Sequence, residues 1–190
     1  MFASPFKKLS NTSEKKLLIL AIATFLLAAT CMFQFDILLQ NELAPLGIIS
    51  FELAKTLDCT TQMLASWQAT EGAMLSAEWS LWFDYIFIIA YVLVLSLILH
   101  RVTRVVWKQP ESQRYRLGIV LIRTTFFAGF LDMVENFALL QLFYGDLQQH
   151  WTTLAFATAT VKFCFTGIAI VFVIYSLIAY LIKKIIHVKK

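Results

Sequence analysis

Long apolar runs alternate along the chain with short polar segments. Four of these runs reach the length of about 20 residues that an α-helix needs to cross the hydrocarbon core of a bilayer. They cover residues 17–35, 81–99, 117–143 and 152–182. The pattern predicts an all-α membrane protein in which residues 1–190 form one four-transmembrane-helix bundle.

The segment between the first two runs is too long for a tight turn and has a pattern of its own. Within residues 46–68, apolar side chains recur at nearly helical spacing, at Ile49, Leu53, Leu57 and Leu64. Glu52 and Lys55 lie three residues apart on the more polar side. The pattern predicts an amphipathic helix on the outer membrane surface or over the outer mouth of the bundle, with Glu52 and Lys55 as candidate lid residues. A re-entrant segment around residues 45–47 is the alternative.

The composition excludes a water-soluble domain. Hydrophobic residues make up 59% of the chain and charged residues 15%, whereas globular domains contain roughly 45–50% and about 25%. The net charge of +4 does not indicate nucleic-acid binding, because the basic residues flank the apolar runs. The predicted partners are therefore the lipid bilayer and either a second copy of the chain or another membrane protein.

The basic residues also predict the orientation of the bundle. Lys7, Lys8, Lys15 and Lys16 precede the first run, five Arg or Lys residues lie within 101–116, and Lys183, Lys184, Lys189 and Lys190 follow the fourth run. In contrast, residues 36–80 contain only Lys55, and residues 144–151 contain no Lys or Arg. By the positive-inside rule, both termini and the middle loop are cytoplasmic, in the inner or plasma membrane.

The start of the first run has two interpretations. A basic patch before an apolar stretch is typical of a signal peptide, but the run of about 19 residues is too long and lacks a good cleavage sequence, which favours an uncleaved span. Asn11 and Glu14 are interpreted as a capping box that opens this first helix.

Cysteine and histidine spacing gives no indication of a metal or cofactor site. Cys31, Cys59 and Cys164 show no metal-ligand spacing, so we expect free thiols, with a bridge between Cys31 and Cys59 as the alternative. The three histidines lie at the ends of runs or in loops, without the opposed intramembrane pair that would hold haem. No cofactor and no metal ion is predicted.

Ionisable residues interrupt the third and fourth runs at similar predicted depths. Asp132, Glu135 and Asn136 follow the i, i+3, i+4 spacing that places side chains on one helical face. Lys162 lies some ten residues into the fourth run, roughly 15 Å below the outer surface. Asp132 lies near the midpoint of the third run, and Glu135 and Asn136 lie one turn closer to the outside. Because an unpaired charge at this depth costs at least ~2.5–3.5 kcal/mol, we expect Lys162 to pair with Asp132 or Glu135.

Two further polar residues lie at the margin of this predicted centre. Asp84 and Tyr91 share a face of the second run. Asp84, Asp132 and Glu135 against Lys162 leave an excess of two negative charges, so one carboxyl should keep a proton, bind a cation or contact water. These six residues, Asp84, Tyr91, Asp132, Glu135, Asn136 and Lys162, are the candidates for ligand or proton binding, and none is singled out as catalytic.

The sequence leaves three interpretations of this polar centre open. Proton- or small-solute-coupled transport is the leading functional hypothesis, because ionisable residues inside spans commonly mark ion and proton pathways. The first alternative is a membrane-embedded enzyme that acts on a lipid or isoprenoid, although no catalytic motif accompanies the carboxylates. The second is a structural or accessory subunit in which the polar residues only hold the helices together.

Overall fold

The computed structural model describes residues 4–188, and this part of the chain is helical throughout apart from its connections. A short 3₁₀ helix (Pro5–Lys8) precedes six α-helices. The four long helices are α1 (Asn11–Asp36), α4 (Ala73–Val106), α5 (Gln113–Phe143) and α6 (Gln149–Val188). Each predicted run lies inside one of them, and all four are long and apolar enough to cross a membrane. The prediction of a multi-pass, all-α membrane protein is confirmed, whereas the predicted flanking residues Lys189 and Lys190 lie outside the described range.

Side-chain caps define where two of the long helices, α1 and α5, begin. Ser10 caps α1 by accepting a hydrogen bond from the Ser13 backbone N–H, and Ser112 caps α5 in the same way through Tyr115. The predicted capping box of Asn11 and Glu14 is therefore wrong. Asn11 is the first residue of α1 rather than its cap, and the Glu14 side chain is buried inside the bundle.

The long helices run alternately up and down, so that the beginning of α1 and the end of α6 lie at the same end of the bundle. Helix α1 packs along α4, α4 along α5, and α5 along α6, with a further contact between α4 and α6. Close approach of α5 to α4 depends on Gly129, where a Cβ atom would collide with Val92. Its neighbours Thr125 and Ala128 are fully buried, as expected for a stripe of small residues at a helix interface.

Helices α1 and α6 do not pack extensively along each other within the described range. A gap is therefore left between them, with α4 behind it. The outward faces of the same helices are apolar and exposed, for example Leu27 and Val171. Phe172 of α6 is buried instead and belongs to the same hydrophobic core cluster as Leu97 and Ile119.

The connection between α1 and α4 contains two helices, α2 (Ile48–Glu52) and α3 (Leu57–Gln68), where one helix over 46–68 was predicted. One hydrogen bond links the connection to the end of α1, and a second lies within the connection. The Asp36 carboxylate accepts from the Ile48 N–H at 2.7 Å, and the Trp67 indole donates to the Leu39 carbonyl at 2.9 Å. Gly47 adopts a positive φ of 56° directly beside the Asp36 carboxylate, a conformation that side chains other than glycine rarely adopt. The end of the bundle covered by this segment is called the connection end below.

Candidate functional site

Lys162 of α6 is the centre of a buried ionic cluster. Its ammonium donates hydrogen bonds to Asp132 at 2.5 Å, to Glu135 at 2.8 Å and to Glu52 at 3.2 Å. The Lys162 side chain is only 7% exposed. Each of the three ammonium protons thus has its own carboxylate, and these four residues are called the Lys162 cluster.

Three different elements supply the Lys162 cluster. Asp132 and Glu135 lie three residues apart on α5, which places both carboxylates on the face towards α6. The expected pairing of Lys162 with this pair is confirmed. The third carboxylate, Glu52, ends α2 and is buried, whereas the amphipathic pattern had assigned it to a polar surface. No local signal marks Glu52, because its partner is 110 residues away.

Lys55, the second candidate lid residue, does not join the cluster. It lies between α2 and α3 with an exposed side chain, and its ammonium is 5.4 Å from the centre of the Phe156 ring. The predicted association of Glu52 and Lys55 on one helical face is absent, because α2 ends at Glu52.

Tyr91 extends the Lys162 cluster towards α4. Its hydroxyl donates to the second oxygen of Asp132 at 2.9 Å. Asp132 is thereby bound at both oxygens, by the ammonium on one side and by the phenol on the other. Tyr91, expected at the margin, belongs to the site.

Asn136 and Asp84 form a second polar pair beside the cluster. The Asn136 amide donates to the Asp84 carboxylate at 2.8 Å and to the Leu81 carbonyl at 3.1 Å. Asn136 was expected beside Lys162, but it instead links α5 to α4. Asp84 has no ion-pair partner among the described residues.

The site carries more negative charge than Lys162 can neutralise. The carboxyl groups of Glu52, Asp84, Asp132 and Glu135 against one ammonium give a formal charge of −3. Burial raises the pKa of Glu52 above its ordinary value, although the nearby Lys162 ammonium acts in the opposite direction. One oxygen of Glu135 is also buried without a hydrogen-bond partner. The arrangement is therefore suited to holding protons or to receiving a cationic group.

A cavity of about 490 Å³ extends from this site along the gap between α1 and α6. Its polar lining comes from Asp36, Glu52, Asp84, Tyr91, Asp132, Lys162 and Thr166. The remaining lining is apolar and comes from α1, α2, α4 and α6, for example Phe25, Phe87 and Ile170. Ile170 lies eight residues beyond Lys162 on α6, which corresponds to roughly 12 Å along the helix. The cavity is thus an elongated apolar pocket with charged residues at one end.

A second buried carboxylate lies at the opposite end of the bundle. Glu14 of α1 is 1% exposed and lies 2.8 Å from the Arg104 guanidinium, with Arg101 at 3.8 Å and His100 at 3.9 Å. Asn11 also accepts a hydrogen bond from Arg104 at 2.9 Å. Sequence reasoning missed this group. The available signal was that Glu14 is the only acidic residue before Asp36.

The cysteines take no part in either group. Cys31, Cys59 and Cys164 are free thiols, so the alternative of a bridge between Cys31 and Cys59 is excluded in this structure. Among the side chains that the structure describes, those of residues 4–185, no three His, Cys, Asp or Glu are arranged to hold a metal ion.

Comparison with known proteins finds no matching family model, no matching curated protein and no matching solved structure. The chemistry of the site therefore rests on its own geometry. A buried ammonium, several carboxyl groups in excess and a phenol at the end of an apolar cavity can bind a polar head and exchange a proton with it.

Proposed function

We propose that the protein takes up a single-chain amphipathic molecule from the bilayer and exchanges a proton with its polar head at the Lys162 cluster. The observation that carries this proposal is the continuity between an apolar cavity and a charged end formed by Asp132, Tyr91 and Glu52. Its volume of about 490 Å³ falls within the roughly 300–1,000 Å³ of small-molecule sites. The substrate class is a lipid or isoprenoid rather than a small polar solute, because most of the lining is apolar.

The gap between α1 and α6 is the proposed entrance. These two helices provide opposite walls of the cavity, through Phe25 and Phe33 on one side and Phe163 and Ile170 on the other. Phe33 and Phe163 are well exposed on the outer surface. A hydrocarbon chain can therefore pass from lipid into the cavity without crossing a polar barrier.

The charge of the site determines which head it prefers. With a formal charge of −3 in a medium of low dielectric constant, the carboxyl groups retain protons or attract a cation. A protonated amine can replace such a proton, and a hydroxyl group can share one. An anionic head would add to the repulsion among the carboxyl groups of the site. The expected order of affinity is therefore amine, then alcohol, then carboxylic acid.

We also propose the orientation of the bundle. The basic residues around Lys16, Arg104 and Lys183 lie at one end, and the positive-inside rule assigns that end to the cytoplasm of the inner membrane. The connection end, with α2 and α3 above the Lys162 cluster, then faces outward. Glu52 would act as a lid residue whose release exposes the charged end of the cavity to the outside.

Acid–base catalysis on the bound molecule is the second candidate. The specific observation in its favour is the Tyr91–Asp132 pair, which lines the cavity with a hydrogen bond of 2.9 Å. Such a pair can pass a proton between the cluster and a bound head. This candidate predicts a chemically altered lipid when the purified protein is incubated with its ligand.

The proposal is tested with full-length protein in mild detergent, using a long-chain amine, alcohol and carboxylic acid of equal chain length as probes. Val94→Trp fills the cavity and should abolish binding of the amine. Ile89→Trp, on the exposed face of the same helix, is the matched control. Tightest binding of the carboxylic acid, or equal binding to both variants, would contradict the proposal.

A further inference from the structure

A second, larger cavity of about 860 Å³ lies at the end of the bundle opposite the connection end. It forms where α4 ends and α5 begins, against the last turns of α6. Its chemically notable lining residues are Trp107, Lys108, Ser112, Arg114, Lys183 and Lys184. None of them belongs to the Lys162 cluster or its cavity, so this second cavity requires a separate explanation.

The charge of this cavity is entirely positive. Lys108 comes from the loop between α4 and α5, Arg114 from α5, and Lys183 and Lys184 from α6. No carboxylate lines the cavity, and none of these four cations forms an ion pair within the described residues. Four cations from three elements therefore converge on one space without an internal counter-charge.

Aromatic rings hold two of these cations in place. The Arg114 guanidinium and the Lys183 ammonium each lie 4.7 Å from the centre of the Trp107 ring. Arg114 also lies 5.9 Å from Tyr175, whose ring stacks on Trp107 at 5.7 Å. Trp107 itself is oriented by a hydrogen bond from its indole N–H to Ser176 at 2.9 Å. Cation–π contacts position the charges but leave them un-neutralised, so they stay available to an anion.

The start of α5 adds to the positive potential. Ser112, which lines the cavity, is the N-cap of this 31-residue helix. The N-terminal end of a helix carries a partial positive charge and free backbone N–H groups. The residues that follow Ser112 thus present N–H donors beside the Arg114 side chain.

We propose that this cavity binds a phosphate-bearing ligand with more than one negative charge. The four cations can more than neutralise a doubly charged phosphate group, and the planar guanidinium of Arg114 can bind two of its oxygens at once. The position of the cavity at a bundle end, open beside Lys184, admits either an anionic lipid headgroup or a soluble phosphate compound. Basic residues that only set the orientation of the protein in the membrane would need their charges. They would not need the packing of Arg114 and Lys183 on Trp107.

Two probes, applied to the full-length protein, distinguish a lipid headgroup from a soluble phosphate compound. The first probe is phosphatidic acid in phosphatidylcholine nanodiscs, and the second is inorganic pyrophosphate added to protein in pure phosphatidylcholine nanodiscs. The double variant Arg114→Gln/Lys183→Gln should weaken binding by about tenfold or more, since it removes two charge-assisted contacts. The control Arg116→Gln changes an exposed charge outside the cavity and should leave binding unaltered.

A fold-neutral variant keeps the test independent of stability. Lys184→Gln alters only an exposed side chain. It should weaken binding of the same probe and leave the thermal unfolding temperature unchanged. Binding of phosphatidic acid but not pyrophosphate assigns the site to a lipid headgroup, and binding of pyrophosphate assigns it to a soluble ligand. Binding of neither probe, or an equal loss in Arg116→Gln, overturns the proposal. Val94→Trp in the other cavity should not affect this binding, which separates the two proposals.

Discussion

Glu52 of α2 and Lys162 of α6 form an ion pair of 3.2 Å across 110 residues of sequence. This contact joins α2, in the connection between α1 and α4, to the ammonium at the centre of the Lys162 cluster. Because Glu52 also lines the apolar cavity, separation of the pair would change both the charge and the access of the site.

Docking of α2 should weaken as the pH rises. The pKa of Glu52 is raised above the ordinary 4.5, mainly by burial. The folded state therefore binds this proton more tightly than the undocked state. The resulting stabilisation is fully present below about pH 4.5 and is lost as the pH rises through the raised pKa. Hydrogen exchange of the α2 amides, corrected for the intrinsic rate, should accordingly become faster as the pH rises above about 4.5 and through the raised pKa of Glu52.

Glu52→Gln should remove this pH dependence, because the amide does not titrate. The exposed Lys55→Gln, three residues away, is the matched control and should retain the wild-type profile. An unchanged pH profile in Glu52→Gln would show that another group controls docking.

Lys162→Met should destabilise the protein far more than replacement of the whole charged set. Removal of the ammonium leaves Asp132, Glu135 and Glu52 without a counter-charge, and breaking a buried ionic group costs about 3–5 kcal/mol. The combined variant Glu52→Gln/Asp132→Asn/Glu135→Gln/Lys162→Met should regain most of that free energy of unfolding. The free energy of unfolding of both variants is measured in detergent.

The same combined variant distinguishes function from structure. Under the proposed function it is stable but no longer binds the long-chain amine. Retained amine binding together with restored stability would mean that the cluster only holds the helices together.

Tyr91→Phe should have a small effect on stability and a larger one on proton exchange. The variant loses the hydrogen bond to Asp132 but keeps the ring beside Phe87, so the expected cost is about 1 kcal/mol. Tyr85→Phe on the same helix removes a hydroxyl that makes no such bond and is the control. The readout is the pH dependence of amine binding, which should shift in Tyr91→Phe and not in Tyr85→Phe.

Glu14→Gln should detach the beginning of α1 from α4. The carboxylate is buried and lies 2.8 Å from the Arg104 guanidinium, so the substitution removes this ion pair and should lower the thermal unfolding temperature. Glu111→Gln, exposed in the loop between α4 and α5, should leave the thermal unfolding temperature unchanged. Equal stability of both variants would indicate that the Glu14 contacts contribute nothing net.

The number and positions of the four long helices were predictable from the sequence because the bilayer imposes a minimum apolar length on each span. The pairing of Lys162 with Asp132 and Glu135 was predictable for a related reason. Helical periodicity determines the face on which these groups lie, and the cost of an unpaired charge leaves few other partners.

The remaining site residues depend on contacts that local patterns do not contain. Glu52 joins Lys162 only because α2 ends where it does, after Asp36 and Gly47 turn the chain back over the bundle. Asn136 pairs with Asp84 rather than Lys162, because it lies on the part of α5 that contacts α4, where Gly129 allows the two helices to approach closely.

The sequence by itself determined the membrane environment, the four spans and the pairing of Lys162 with carboxylates of α5. Each of these follows from the free energy of transferring a residue into hydrocarbon. Only the tertiary structure decided that α1 and α6 stay apart and leave an apolar cavity at that centre. It also brought Trp107, Arg114 and Lys183 together. The physical reason is that helix–helix packing depends on the shapes of side chains far apart in sequence, whereas insertion into the bilayer depends on each segment alone.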